Sequence, residues 1–257
     1  MSSLKLGLGA ALAGALCLAA TPSNASVVIT DWYAASGLPS ATSPAWTLFG
    51  SPANVSLAGG AMVIKGKTYY GQSNLTTPPI DTLNGFSIEA RARFDSGSHS
   101  LDSRDTLNLS FTLGPNIGNA LFIGDGRFFI NSGDVTRGAT MTGIDTRSFH
   151  TYRVDVSAPG KNGLSTISVF YDGVFAISGS TFSSASANGI HQRVDFGGGS
   201  IYATGTSEWQ FVRNTPPVLS AVPEPATWTT MIAGLGIAGL ALRRRARRPL
   251  AERLALV

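Results

Sequence analysis

The chain has 257 residues, of which 43% are hydrophobic and only 13% charged, with 30 Gly and a single cysteine. Its formal charge of +4 comes from its ends, because residues 26–221 carry 12 Lys and Arg against 13 Asp and Glu, a net of −1. A near-neutral middle excludes nucleic-acid binding through a basic domain surface, and the lone Cys17 excludes disulfides and thiolate metal sites from the rest of the chain.

Residues 1–25 read as a secretory signal peptide. Lys5 is followed by an apolar run from Leu6 to Ala20, then by Pro22 and Ser23-Asn24-Ala25, with small residues where a signal peptidase cuts. Cleavage is expected after Ala25, and the partners are the Sec machinery and signal peptidase. The alternative is an uncleaved anchor, for which the run is short against the ~20 apolar residues of a spanning helix. Gly14 and Leu16 stand where a lipid-attachment signal at Cys17 would need Leu and a small residue.

Residues 26–215 read as one all-β domain, an antiparallel β-sandwich. Apolar residues alternate with polar ones at Phe86, Ile88, Ala90, Ala92 and Phe94, and again at Leu107, Leu109, Phe111 and Leu113. The same period recurs at Tyr152, Val154 and Val156, at Ile167, Val169 and Tyr171, and at Trp209 and Phe211. Period-two alternation marks strands with one buried face. Asp172-Gly173 is a hairpin turn, with Val174–Ile177 returning. Shorter strands are expected over Val27–Trp32, Ala61–Ile64, Ala120–Ile123, Phe128–Ile130 and Ile201–Ala203. No apolar 3.6-residue period extends over ten residues of the domain, so helices are not expected there. The strand order is left open.

The stretch from Phe86 to Arg213 resembles the concanavalin A-like (laminin G-like) jelly roll. The residues that carry the resemblance are Gly85–Phe94, Phe149-His150-Thr151-Tyr152-Arg153-Val154, Ile167–Gly173, Asp195-Phe196-Gly197 and Glu208–Arg213. The resemblance implies a sandwich fold in which glycan binding, glycan cleavage and calcium are all represented. Glucanases of that fold carry Glu-x-Asp-x-x-Glu on one strand, whereas the comparable strand here has only Glu89, flanked by Arg91 and Arg93, which reads as a cross-strand ion pair. The domain is therefore expected not to be an enzyme. His99, His150 and His191 are scattered, and His150 is expected to be partly buried and hydrogen-bonded. Asp95, Asp102 and Asp105, with neighbouring serines, form an oxygen-rich segment that is either a Ca²⁺ site or a set of solvated turns. No other cofactor is expected. Sugar rings stack on exposed aromatics, for which the candidates are Trp32, Trp46, Tyr69, Tyr70, Phe170 and Tyr202, with core packing as the alternative for each.

The end of the chain has three unlike parts. Residues 216–225 form a Pro-rich linker ending in Val222-Pro223-Glu224-Pro225, residues 226–242 form an uncharged transmembrane helix, and residues 243–257 form a tail led by Arg243, Arg244, Arg245, Arg247 and Arg248. The arginines place the tail in the cytoplasm and the domain across the membrane. Gly234-Leu235-Gly236-Ile237-Ala238-Gly239 matches a dinucleotide fingerprint in letters only, since no βαβ unit surrounds it. The order of parts resembles the PEP-CTERM sorting signal of Gram-negative bacteria. That resemblance implies cleavage by an exosortase-type membrane protease and association with biofilm matrix; a plain tail anchor is the alternative.

Together these readings give an exported protein, held for a time in the inner membrane and then delivered to the cell surface or extracellular matrix. Its sandwich is expected to bind exopolysaccharide. The alternatives are a structural or adhesion protein without a glycan ligand and, from the enzyme class, a polysaccharide hydrolase or lyase.

Overall fold

The computed structural model describes residues 29–73, 85–99, 104–114, 116–184, 192–198 and 203–215. The chain divides into two units, Met1–Thr215 and Pro216–Val257. The signal-peptide segment, the Pro-rich linker with its Pro-Glu-Pro motif, the apolar stretch and the arginine tail all lie outside the described residues. Among those described, no helix is long and apolar enough to cross a membrane.

The strands, in chain order, are β1 (Trp32–Tyr33), β2 (Thr47–Phe49), β3 (Val55–Ala58), β4 (Ala61–Lys65), β5 (Tyr69–Ser73), β6 (Gly85–His99), β7 (Leu107–Gly114) and β8 (Ile117–Gly124). They continue with β9 (Arg127–Gly133), β10 (Thr136–Thr142), β11 (His150–Ser157), β12 (Thr166–Tyr171), β13 (Val174–Ser180), β14 (Phe182–Ser183), β15 (Arg193–Gly197) and β16 (Ala203–Thr215). Two eight-stranded sheets result. Sheet A runs β13-β12-β11-β6-β16-β4-β3, with β1 on β16, and sheet B runs β10-β9-β8-β7-β15-β5-β2, with β14 on β8. Each pairing, such as β11 with β6 and β15 with β7, is antiparallel. The architecture is an all-β, two-sheet antiparallel sandwich, as the alternation predicts.

The core lies between the sheets and follows the sequence pattern. Phe86, Ile88, Ala90, Ala92 and Phe94 of β6 are buried in it, as are Leu107, Leu109 and Phe111 of β7. Phe196 of β15 sits at the centre, with ring centroids 5.5 Å from Trp32, 5.0 Å from Trp46, 6.0 Å from Tyr70 and 5.2 Å from Trp209. The Asp172-Gly173 turn forms as expected. Both residues have positive φ, +48° and +81°, which matches the twist of the strands it joins. Asp172 tolerates that conformation because its carboxylate accepts from Thr151 N–H at 2.9 Å and bonds His150 Nδ1 at 2.6 Å.

One alternation fails. Trp209 and Phe211 were expected on one face, but the register of β16 on β6 shifts between them. The bulge at Gln210 turns Val212 into the core beside Trp209 and leaves Phe211 half-buried outside it. The short N-terminal strand also differs, since β1 covers only Trp32–Tyr33.

Candidate functional site

Strand alternation sends every second residue of sheet B away from the core. On β7 these are Asn108, Ser110 and Thr112, and on β15 they are Arg193 and Asp195. The register sets Arg193 opposite Thr112 and Asp195 opposite Ser110. On the other side of β15, Asp195 is opposite Gly71 of β5. Strand β8 adds Ala120 and Phe122, and β9 adds Phe129, which form a small apolar cluster separate from the main core. A cleft of about 200 Å³ opens on this outer face, lined by Arg104, Asn108, Ser110, Ala120, Phe122, Asp134, Ser184, Arg193 and Asp195 among others.

Asp195 and Arg193 are its central pair. Asp195 is buried, 6% exposed. Arg193 Nε donates to Asp195 Oδ2 at 2.8 Å, and Ser110 Oγ donates to the same oxygen at 3.3 Å. Oδ1 lies 2.7 Å from Arg193 Nε yet accepts no hydrogen bond. Burial pushes this carboxyl up to about 6, against the opposing pull of Arg193 and Ser110. The space for it exists because position 71 is glycine: a Cβ there would overlap Asp195 Oδ1 and approach the Phe49 ring at 3.0 Å. The Arg193 guanidinium lies 5.1 Å from the centroid of Phe49 and 5.6 Å from that of Tyr69, and those two rings stack on each other at 4.9 Å. Nearby, Asn108 is buried with Oδ1 accepting no hydrogen bond. The far wall is held by Ser184, which donates to Asp134, and by Arg104, whose Nη1 donates to the Asp134 carbonyl at 3.0 Å.

The aromatic candidates separate cleanly. Trp32, Trp46 and Tyr70 are each 1% exposed and belong to the core, so they form no sugar-stacking surface. The indole N–H groups of Trp32 and Trp46 donate to the Gly37 and Thr30 carbonyls, which is what lets them be buried. Among the described candidates, Tyr69 alone stands beside the cleft, against Arg193. Phe170 is half-buried on the outer face of sheet A, under the Arg153 guanidinium at 4.0 Å and edge-on to Phe175. Tyr202 lies outside the described residues.

Of the three aspartates of the oxygen-rich segment, Asp95 and Asp105 lie among the described residues, and they are not brought together with a third acid there. Asp105 is buried at 3% exposure and is paired with Arg127 at 2.9 Å, so its carboxylate is already neutralised by a cation. Asp95 is exposed, and Asp102 lies outside the described residues. Among the described residues no three His, Cys, Asp or Glu side chains cluster as metal ligands.

Glu89 makes a cross-strand ion pair, with Arg213 of β16 at 2.5 Å. Its neighbour Arg93 pairs with Glu208 at 2.8 Å. His150 is half-buried, bonded through Nδ1 to Asp172 and stacked on Tyr171 at 4.7 Å. Its Nε2 lies 3.5 Å from Asp145 Oδ2. Asp145 is held well below the usual carboxylate range by Ser148 and by the Arg147 and Ser148 N–H groups. The cluster ties the loop before β11 to the β12–β13 turn. His191 lies outside the described residues.

No curated protein matches the chain in sequence. Several solved structures resemble it. An alginate lyase of Polysaccharide Lyase family 7, AlgAT5, is 13% identical with a TM-score of 0.41, covering 65% of this chain and 85% of that one. The exoplasmic/lumenal domain of VIP36, in its Ca²⁺/Man3GlcNAc-bound form, is 11% identical with a TM-score of 0.41 over 71% of this chain and 88% of that one. The cellulose-induced protein Cip1 is 11% identical with a TM-score of 0.46 over 73% and 97%. The C-terminal segment is more specific. Residues 221–245 match the PEP-CTERM protein-sorting motif, so the chain carries this sorting signal at its C-terminus, and the signal implies export, sorting to the surface and exosortase processing.

Proposed function

We propose that the sandwich, a concanavalin A-like jelly roll, is a non-catalytic glycan-binding domain of a surface or matrix protein. Its site is the outer-face cleft of sheet B. The observation that carries this reading is the cleft's mixed wall. Asn108 is a buried polar group whose Oδ1 accepts no hydrogen bond among the described residues, and it shares the cleft with the apolar side chains of Ala120 and Phe122. Unused hydrogen-bonding capacity next to apolar surface suits a sugar ring, which has hydroxyls on its rim and C–H groups on its faces. The cleft's 200 Å³ is below the about 300–1,000 Å³ of sites that enclose a drug-sized ligand, so it grips one unit of a polymer that continues into solvent.

Asp195 is engaged by Arg193, and Asp134 by Ser184, which supports binding over paired-carboxylate hydrolysis. In this reading the signal peptide is removed after Sec export, and the apolar segment holds the chain in the inner membrane until an exosortase-type protease releases it. A structural or adhesion role has one observation in its favour. Val174 and Phe175, 71% and 56% exposed, make an apolar edge at the start of β13 suited to protein contact.

The test is retention of the purified full chain on a panel of immobilised polysaccharides. Retention that Asn108→Ala weakens at least fivefold supports the cleft. Shortened polymer chains would point instead to a hydrolase or lyase, and retention by protein alone to the adhesion role.

A further inference from the structure

The cleft holds an arginine whose orientation is fixed before any ligand arrives. Arg193 spends Nε on Asp195, and its plane rests against the stacked Phe49 and Tyr69 rings. Its side chain is 20% exposed and lines the cleft. A guanidinium has five N–H donors. Of these, the Nε donor goes to the carboxylate, and the Tyr69 hydroxyl is a further side-chain hydrogen-bond partner. Among the described residues the Nη donors meet no acceptor besides the Tyr69 hydroxyl. Hydroxyls would use such donors one at a time, whereas a planar carboxylate takes two in parallel.

From this geometry we infer that the cleft takes an acidic glycan and seats a sugar carboxylate on the Arg193 fork. The inference rests on the glycan-binding reading and narrows it to polymers that contain uronate or other carboxylate-bearing sugars. Thr112, opposite Arg193 in the register, and Asn108, four residues along the same strand, continue the polar row. They are placed to meet the hydroxyls of the same sugar and the next. At about 3.3 Å per residue that row spans roughly 13 Å. Asp195 does not repel the incoming anion as a bare charge would, because it is buried and bonded to Arg193. Arg104, at the Asp134 wall, adds a second cation to the lining.

The experiment is affinity electrophoresis of the full chain through gels containing alginate, polygalacturonate or hyaluronate, each beside its carboxyl-reduced form, at about 0.15 M salt. Reduction turns the uronate into a neutral sugar on the same backbone. The expected result is retardation by at least one acidic polymer, tenfold or more weaker with its reduced form. Arg193→Lys keeps the charge but loses the fork, and is expected to weaken acidic binding about tenfold and binding to the reduced form by much less. Equal retardation by the acidic and reduced forms overturns the acidic assignment and leaves glycan binding standing, as does retardation by neutral polymers alone. Retardation by nothing overturns both. The comparison of native protein on paired polymers needs no variant, so a misfolded Arg193→Lys does not spoil it.

Discussion

Replacing Asp195 with Asn tests whether the cleft's carboxyl is buried and hard to ionise. In the folded chain burial is the largest influence on it and lifts it from an ordinary value of 3.8 to about 6. Between those two pH values the folded chain holds a proton that the unfolded chain has released. The native state therefore binds more protons in that window, and stability falls as pH rises through it. About two pH units at roughly 1.4 kcal/mol each give a penalty of up to about 3 kcal/mol, fully present above pH ~6 and absent below pH ~4. Asn cannot ionise, so Asp195→Asn escapes this term, whatever constant offset follows from leaving Arg193 without its partner. Urea unfolding of both proteins, at intervals from about pH 4 to pH 7, reads the difference between them. The variant's stability relative to the native chain is expected to rise by up to about 3 kcal/mol across that range. A difference that stays flat would refute the reasoning. A change of opposite sign would mean that the ion pair with Arg193 outweighs burial and that Asp195 is an ordinary paired carboxylate.

The core offers a second prediction, because Tyr152 is fully buried and its hydroxyl has no hydrogen-bond partner among the described residues. Tyr152→Phe removes an unsatisfied polar group and is expected to stabilise the sandwich by about 1 kcal/mol, read as an upward shift in Tm. Phe196→Ala deletes the ring that meets four core aromatics and is expected to cost about 3–5 kcal/mol in urea unfolding. Gly71→Ala should displace Asp195 by steric overlap and reduce glycan retention at least tenfold, with a destabilisation of about 1–3 kcal/mol measured in parallel. Deleting Pro223–Pro225 should leave the protein in the membrane fraction of the producing cells, seen by fractionation, whereas a plain tail anchor would be delivered unchanged.

The sandwich was legible because burial imposes a period of two, and the long runs on β6, β7, β11 and β12 obey it. Alternation fails where one residue is added to one strand alone. The bulge at Gln210 cannot be seen in Trp209-Gln210-Phe211, because it depends on the pairing of β16 with β6. The aromatic candidates show a related limit. Tyr69 and Tyr70 are neighbours of the same type, and only the register of β5 on β15 turns Tyr70 into the core and Tyr69 out beside Arg193. Asp105 stands in sequence near Asp95 and Asp102, but its partner is Arg127, 22 residues on. The cleft was missed for the same reason. The spacing Arg193-x-Asp195 is visible as two charges on one strand face, yet Ser110 lies 85 residues away, and Gly71 gives no hint that it makes room for a carboxylate.

The site and the core are two faces of one short strand. On β15, Val194 and Phe196 are fully buried, while Arg193 and Asp195 between and beside them face the cleft. Phe196 is fixed by Trp32, Trp46, Tyr70 and Trp209, and pleating then fixes the direction of the residues on either side. A buried pair such as Arg193 and Asp195 is costly to leave misaligned, so rigid backing is what keeps the guanidinium aimed outward. Residues 18–257 contain no cysteine to cross-link them, which leaves packing of this kind as the means of holding the geometry after export. Substitutions that loosen the core beneath β15 should therefore weaken ligand binding before they unfold the sandwich, while equal core losses at the far β10 edge of sheet B should leave binding intact.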